Sequence, residues 1–235
     1  MEATDQQVYV DQRNAPIRSG DIGDDHRQQK TLLAMAPKVK LTYFNLRAKG
    51  EPARLLLAYG GIKYEDYRVS FEDQREWKAM KPTTPYGSLP LLEWDGVRIA
   101  QSMAIARFLA REVGLAGRNS LEAAQVDEIV DAVNDIFQAG LTALFSGEEA
   151  QMQKYEKETL PAGLAQLEKI LESRGGQFFV GNAFSWADLR LFDFVFTLPQ
   201  PNCVSRFPRI STLVETVRNI PNIKNWVESR PKSKL

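Results

Sequence analysis

Apolar residues recur along most of the chain with a readable period, and a change of period divides it. Val39-Lys40-Leu41-Thr42-Tyr43-Phe44 alternates and is rich in β-branched and aromatic residues, which predicts a strand. The polar link Arg47-Ala48-Lys49-Gly50 leads to Glu51-Pro52, where a proline early in a helix loses no hydrogen bond. Ala53, Leu55, Leu56, Leu57 and Ala58 carry that helix to a stop at Gly60-Gly61. Tyr64 to Val69 predicts a second strand and Leu89 to Trp94 a third. Asp95-Gly96 is a two-residue hairpin signal, and Val97 to Ala100 is the returning strand. The polar stretch between the second and third strands, holding Trp77 and Lys81, shows no period and predicts irregular structure. Ser102 is expected to cap a helix through Ile105, Phe108 and Leu109 that ends near Gly114. A helical crossover makes the first two strands parallel, whereas the hairpin is antiparallel. The expected fold class is therefore an α/β, thioredoxin-like domain with a mixed four-stranded sheet.

From about residue 120 only the helical period remains. Val126, Ile129, Val130, Val133, Ile136 and Phe137 follow three-four spacing, and Tyr155, Leu164, Leu167, Ile170 and Leu171 give another helix that crosses Pro161. Ser185-Trp186-Ala187-Asp188 reads as a capping box, flanked by Phe184 and Leu189 as a hydrophobic staple. The residues from Leu191 to Leu198 are apolar nearly all round, which suits the centre of a bundle. The expected division is a first domain over 37–117 and an all-helical domain over 118–235. Residues 1–36 hold more acids (Glu2, Asp5, Asp11, Asp21, Asp24, Asp25) than bases (Arg13, Arg18, Arg27, Lys30) and few large apolar groups. Such a segment cannot offset its ordering entropy by burial, and a disordered extension is expected.

Composition narrows the chemistry. Lys plus Arg and Asp plus Glu are both 30, so the formal net charge is zero, and binding of nucleic acid by bulk charge is excluded. Cys203 is the single cysteine and His26 the single histidine, which excludes an internal disulfide and any Cys-rich or multi-His metal site. No apolar run approaches the length of a membrane span. What remains is an intracellular protein whose active group is Tyr, Ser, Thr, Lys, Arg or a carboxylate. The final Ser233-Lys234-Leu235 matches a peroxisomal address, or is a chance basic tail.

Tyr43 stands at the end of the first strand, where open α/β sheets place ligands. Taken alone, a strand tyrosine reads as core. The surroundings change that reading. Leu41-Thr42-Tyr43-Phe44-Asn45, Pro85-Tyr86-Gly87-Ser88-Leu89-Pro90, the stretch Gln101 to Leu109 and the stretch Gly181 to Asp188 resemble those of cytosolic glutathione S-transferases. The sigma class is most similar, the class that includes hematopoietic-type prostaglandin D synthases and lens S-crystallins. The resemblance covers roughly residues 37–235.

The resemblance implies the glutathione S-transferase fold, glutathione as co-substrate, a cytoplasmic homodimer and no required metal. Tyr43 would donate a hydrogen bond to the glutathione sulfur. A free thiol titrates near 8.5, and lowering that by about two units needs about 2.7 kcal/mol of preference for the anion. A charge-assisted hydrogen bond of roughly 1.5–3 kcal/mol supplies most of it. Leu89-Pro90 should be a cis peptide that presents the Leu89 backbone to the cysteinyl part of glutathione, within a turn that also holds Gly87 and Ser88. Gln101 and Ser102, at a helix N-terminus, would hold the γ-glutamyl end, which does not conflict with capping by Ser102. Trp77 and Lys81 would hold the glycine end. Asp135 would reach the γ-glutamyl amine bound to the neighbouring subunit. Lys49 falls where some members have Arg, and Ser88 where Lys or Gln is common, which leaves Ser88 backbone contacts only. Asn134 replaces a second acid associated with metal effects. The electrophile is expected on the helical side near residues 137–147, with Phe137 and Phe145. The implied activity is conjugation of glutathione to small hydrophobic electrophiles, extending to peroxide reduction or prostaglandin isomerisation. The alternative is a non-catalytic lens-type or ligand-carrier protein, and the presence of Tyr43, Trp77, Lys81, Gln101 and Ser102 weighs against it.

Overall fold

β1 (Val39–Phe44) forms as its alternation predicts, and Leu41 on it is fully buried. The computed structural model describes residues 37–198 and 201–233, so the expected tail over 1–36, and Lys234 and Leu235 of the C-terminal tripeptide, lie outside the described residues. A tight turn, Ala48–Gly50, runs directly into α1 (Glu51–Tyr59), with Pro52 in its first turn. β2 (Glu65–Val69), β3 (Leu91–Trp94) and β4 (Val97–Ala100) complete a four-stranded sheet in the order β2-β1-β3-β4. β1 and β2 are parallel, with Tyr43 opposite Arg68. β3 is antiparallel to β1, with Leu91 opposite Thr42, and β4 is antiparallel to β3, with Ala100 opposite Leu91. The mixed sheet and its crossover are those expected of a thioredoxin-like domain.

Three details differ from expectation. The polar stretch forms a helix, α2 (Gln74–Met80), whose N-cap Asp73 accepts from the Arg75 N–H. None of its residues is buried, so no apolar period marks it in the sequence. β3 begins at Leu91 instead of Leu89, because Pro90 has no N–H to give the ladder. The helix expected to be capped by Ser102, α3 (Ser102–Glu112), has Gln101 as its N-cap instead, with φ of 73° and no side-chain capping bond.

The rest is helical. α4 (Ser120–Ser146) starts on an Asn119 cap, whose Oδ1 accepts from Glu122 at 2.9 Å, and ends on the left-handed Gly147. α5 (Glu149–Lys154), a wide turn over Tyr155–Thr159 and α6 (Leu160–Arg174) follow, with Pro161 placed harmlessly in the first turn of α6. α7 (Trp186–Thr197) is buried at every residue from Trp186 to Val195 and sits at the centre of the bundle. Its capping box is formed: Asp188 Oδ2 accepts from Ser185 N and Oγ at 2.8 Å each, and Oδ1 accepts from Phe179 N at 2.9 Å. α8 (Pro208–Arg218) and α9 (Pro221–Ser229) each open on proline. α1 packs on α3, α7 and α9, so the sheet domain and the bundle share one core within the unit that begins at Lys38. No helix among the described residues is long and apolar enough to cross a membrane.

Candidate active site

Strand register gathers the sequence-singled residues. Thr42 faces Leu91, and Leu91 faces Ala100. Tyr43 follows the first of these, Leu89-Pro90 precedes the second, and Gln101-Ser102 follows the third. All therefore emerge at one end of the sheet. The Leu89–Pro90 peptide is cis. Tyr43 and Leu89 are buried together with Leu46, Val69 and Leu91, and Trp77 packs against that cluster. The Trp77 ring stands edge-on to Phe44, with centroids 5.5 Å apart. The Lys81 stem passes over Gly87: a Cβ at Gly87 would lie 3.5 Å from Lys81 Cε. Gln101 occupies the left-handed region, uncommon outside glycine, at the open end of α3. The free N–H groups of that first turn, with the helix dipole, favour an anion.

Tyr43 is 6% exposed. Its ring lies against Gly50, where a Cβ would come within 2.4 Å of Tyr43 Cδ1. Its hydroxyl oxygen accepts from the main-chain N–H of Lys49 at 3.3 Å. That bond uses an oxygen lone pair, and the phenolic proton remains available for an acceptor. Burial pushes the phenol up from its ordinary value, against the Lys49 N–H and the positive charge of Arg54, which pull it down. The group is thus a protonated donor at neutral pH. Lys49 and Ser88 are half-buried, and Asp135 is exposed on α4.

Next to this link lies an apolar cavity of about 120 Å³. Ala48, one residue before Lys49, forms one wall; Phe137, Leu141, Met152, Tyr155 and Phe194 are among the others. Gly140 admits the Tyr155 ring, since a Cβ there would sit 2.7 Å from Cζ. Burial pushes the Tyr155 phenol up to about 12. Behind Phe137 the buried Arg190 guanidinium stands 4.7 Å from the ring centroid and 3.1 Å from Asp193. Burial raises the Asp193 carboxyl, and Arg190 opposes the rise. The expected wall residue Phe145 is instead 71% exposed; Leu144 lines the cavity in its place. Among the described residues, no group of three or more His, Cys, Asp and Glu could hold a metal ion.

Two family descriptions match this arrangement. "Glutathione S-transferase, N-terminal domain" matches residues 39–111, and "Glutathione S-transferase, C-terminal domain" matches residues 134–230. The chain belongs to the glutathione S-transferase family. Similar proteins include glutathione S-transferase 1 of Ascaris suum, 44% identical over 207 residues, covering 84% of this chain and 98% of that protein. Hematopoietic prostaglandin D synthase of Gallus gallus is 41% identical over 206 residues, covering 85% of this chain and all of that one. Among solved structures, the glutathione S-transferase from Ascaris lumbricoides superposes with a TM-score of 0.73 at 41% identity, covering 83% of this chain and 98% of that one.

Against this family background, sequence reasoning named Phe137 on the cavity wall but missed the lining residues outside α4. Ala48, Met152, Tyr155 and Phe194 come from four separate segments, and apolar side chains carry no chemical mark in a sequence. One signal was present. Phe137, Gly140, Leu141 and Leu144 fall at three-four spacing on α4, and Phe145 lies one step off that stripe.

Proposed function

We propose that the protein conjugates glutathione to small hydrophobic electrophiles, with Tyr43 as the catalytic residue. The observation that carries this reading is the buried, protonated Tyr43 phenol, oriented by the Lys49 N–H, with Ala48 packed against its cluster and lining the apolar cavity. Glutathione supplies the nucleophilic sulfur. Tyr43 donates to that sulfur and favours its anionic form. The Leu89 backbone lies outside the strand ladder and pairs with the cysteinyl part, Gln101 and Ser102 receive the γ-glutamyl carboxylate, and Trp77 and Lys81 hold the glycine end. Lys49, Gly87, Ser88 and Pro90 shape the same surface. The cavity walls position the electrophile, and attack needs little beyond proximity and charge stabilisation.

The same reading takes the protein as a cytoplasmic, sigma-class homodimer, divided near residue 117, in which Asp135 reaches the glutathione of the second subunit. Prostaglandin isomerisation is a second, narrower reading, favoured by the 41% identity to the chicken protein named hematopoietic prostaglandin D synthase. Retention on glutathione-agarose, followed by a panel of aryl halide, hydroperoxide, reactive-aldehyde and prostaglandin substrates, separates these activities. Tyr43→Phe should lower conjugation roughly 10- to 100-fold while the melting temperature holds. Full activity in that variant refutes the assignment.

A further inference from the structure

The link that orients Tyr43 is held from the far end of the chain. Arg54, fully buried, donates to the main-chain carbonyls of Leu46 at 2.5 Å and Phe44 at 3.2 Å. It therefore fixes the backbone immediately after Tyr43, as the chain leaves β1. Arg54 Nε bonds Asp66 at 3.0 Å, and Nη1 lies 3.5 Å from Glu51 Oε2. Glu51, 1% exposed, accepts at its other oxygen from Trp226 Nε1 at 2.9 Å and Arg230 Nη1 at 2.6 Å. These donors stand 175 and 179 residues away, in α9 and just past its end. Glu51 itself opens α1, and its N–H closes the Lys49 turn onto the Arg47 carbonyl at 3.0 Å. A buried carboxylate with no donors would be costly, and packing of α9 on α1 could have been built from apolar groups alone. Here the donors converge on the residue that ends the turn.

We infer that Trp226 and Arg230 are positioning residues for the Tyr43 phenol. Through Glu51 and Arg54 they set the turn that carries the Lys49 N–H to the phenolic oxygen. This rests on the reading that Tyr43 activates a thiol, and it adds that the C-terminal helix governs how well it does so.

Arg230→Gln, Arg230→Lys and Trp226→Phe test it in the full chain. Two readouts decide: the ultraviolet absorbance of bound glutathione thiolate against pH, and kcat and KM for glutathione. Arg230→Gln should raise the pKa of the bound thiol by about half a unit or more. It should lower kcat near neutrality by up to about threefold for each half unit, leave KM for glutathione within about twofold, and recover at high pH. Arg230→Lys should restore most of this, and Trp226→Phe, which keeps the ring and loses the donor, should fall between. Arg174→Gln breaks other ties, to the nearby Phe179 carbonyl and to the distant Glu128, and should lower only the melting temperature. If Arg230→Gln does not fold, Trp226→Phe decides by the same readouts. A variant that melts lower but titrates like the parent overturns the inference. A parent protein that forms no thiolate with glutathione overturns the functional reading and this inference with it. A normal parent beside an unshifted variant overturns this inference alone.

Discussion

At the scale of single residues, the site depends on close approach. Gly50 has an ordinary negative φ, so its role is space: a methyl group there would overlap the Tyr43 ring at Cδ1 and Cγ, at 2.4 and 2.7 Å. Gly50→Ala should therefore displace the ring and part the hydroxyl from the Lys49 N–H. The expected cost is about 1–3 kcal/mol of stability, read by urea denaturation, with a loss of kcat beyond what the folded fraction explains. Retained activity would mean that the ring position does not matter. Tyr43 itself was legible in the sequence because it ends an alternating strand before a polar link and stands in a motif. Gly50 was not, because a glycine before a helix signals a turn and says nothing of which ring it faces.

At the scale of elements, legibility followed burial. β1, α4 and α6 each bury a stripe or an alternate face and were readable from their period, and α7, buried nearly all round, from its continuous apolar run and capping box. α2 has no fully buried residue, and the start of α3 is set by the backbone of Gln101, so neither left a clear apolar period. The capping box of α7 shows how much one element end can hold. Ser185→Ala should cost roughly 1–2 kcal/mol, and Asp188→Ala more, since it also strands the buried Phe179 N–H; KM for glutathione should change little in either. Burial pushes Asp188 up to about 6 from 3.8, against four hydrogen bonds that pull it down. The folded state thus holds the proton more tightly than the unfolded chain. The contribution of Asp188 to stability should fall as pH rises from about 4 to about 6 and level off above that. Denaturation midpoints of the parent and of Asp188→Asn, compared across that window, should converge towards pH 6. A difference that does not vary with pH refutes the assignment.

At the scale of the whole molecule, α1 is the shared beam. Its first turn closes the Tyr43 link, its buried face packs on α3 and α7, and its opening residue is bonded from α9. Sequence reading recovered the two periods on either side of this arrangement but not the tie between them. A charge pair 179 residues apart leaves no local pattern. Asp135, exposed on α4, belongs to this scale too. If it reaches the glutathione of a second subunit, Asp135→Ala should weaken glutathione binding severalfold in the dimer. Dilution into monomers should weaken the parent to the same level and leave the variant unchanged, as measured by calorimetry alongside sedimentation. Equal responses to dilution would refute the role.

The hydroxyl of Tyr43 takes its orienting bond from a main-chain amide, and this has a consequence for how the site tolerates sequence drift. No side-chain substitution at Lys49 removes that donor, so alanine scanning of the link would pass over it. The side chains of the link have other ties, since Arg47 donates to the Phe196 carbonyl at 2.9 Å and Ala48 lines the cavity, but the donor itself is lost only to proline at position 49, or to an amide-to-ester exchange there. The tuning of the phenol thus rests on backbone geometry, and a change of side chain at position 49 alone leaves the donor in place.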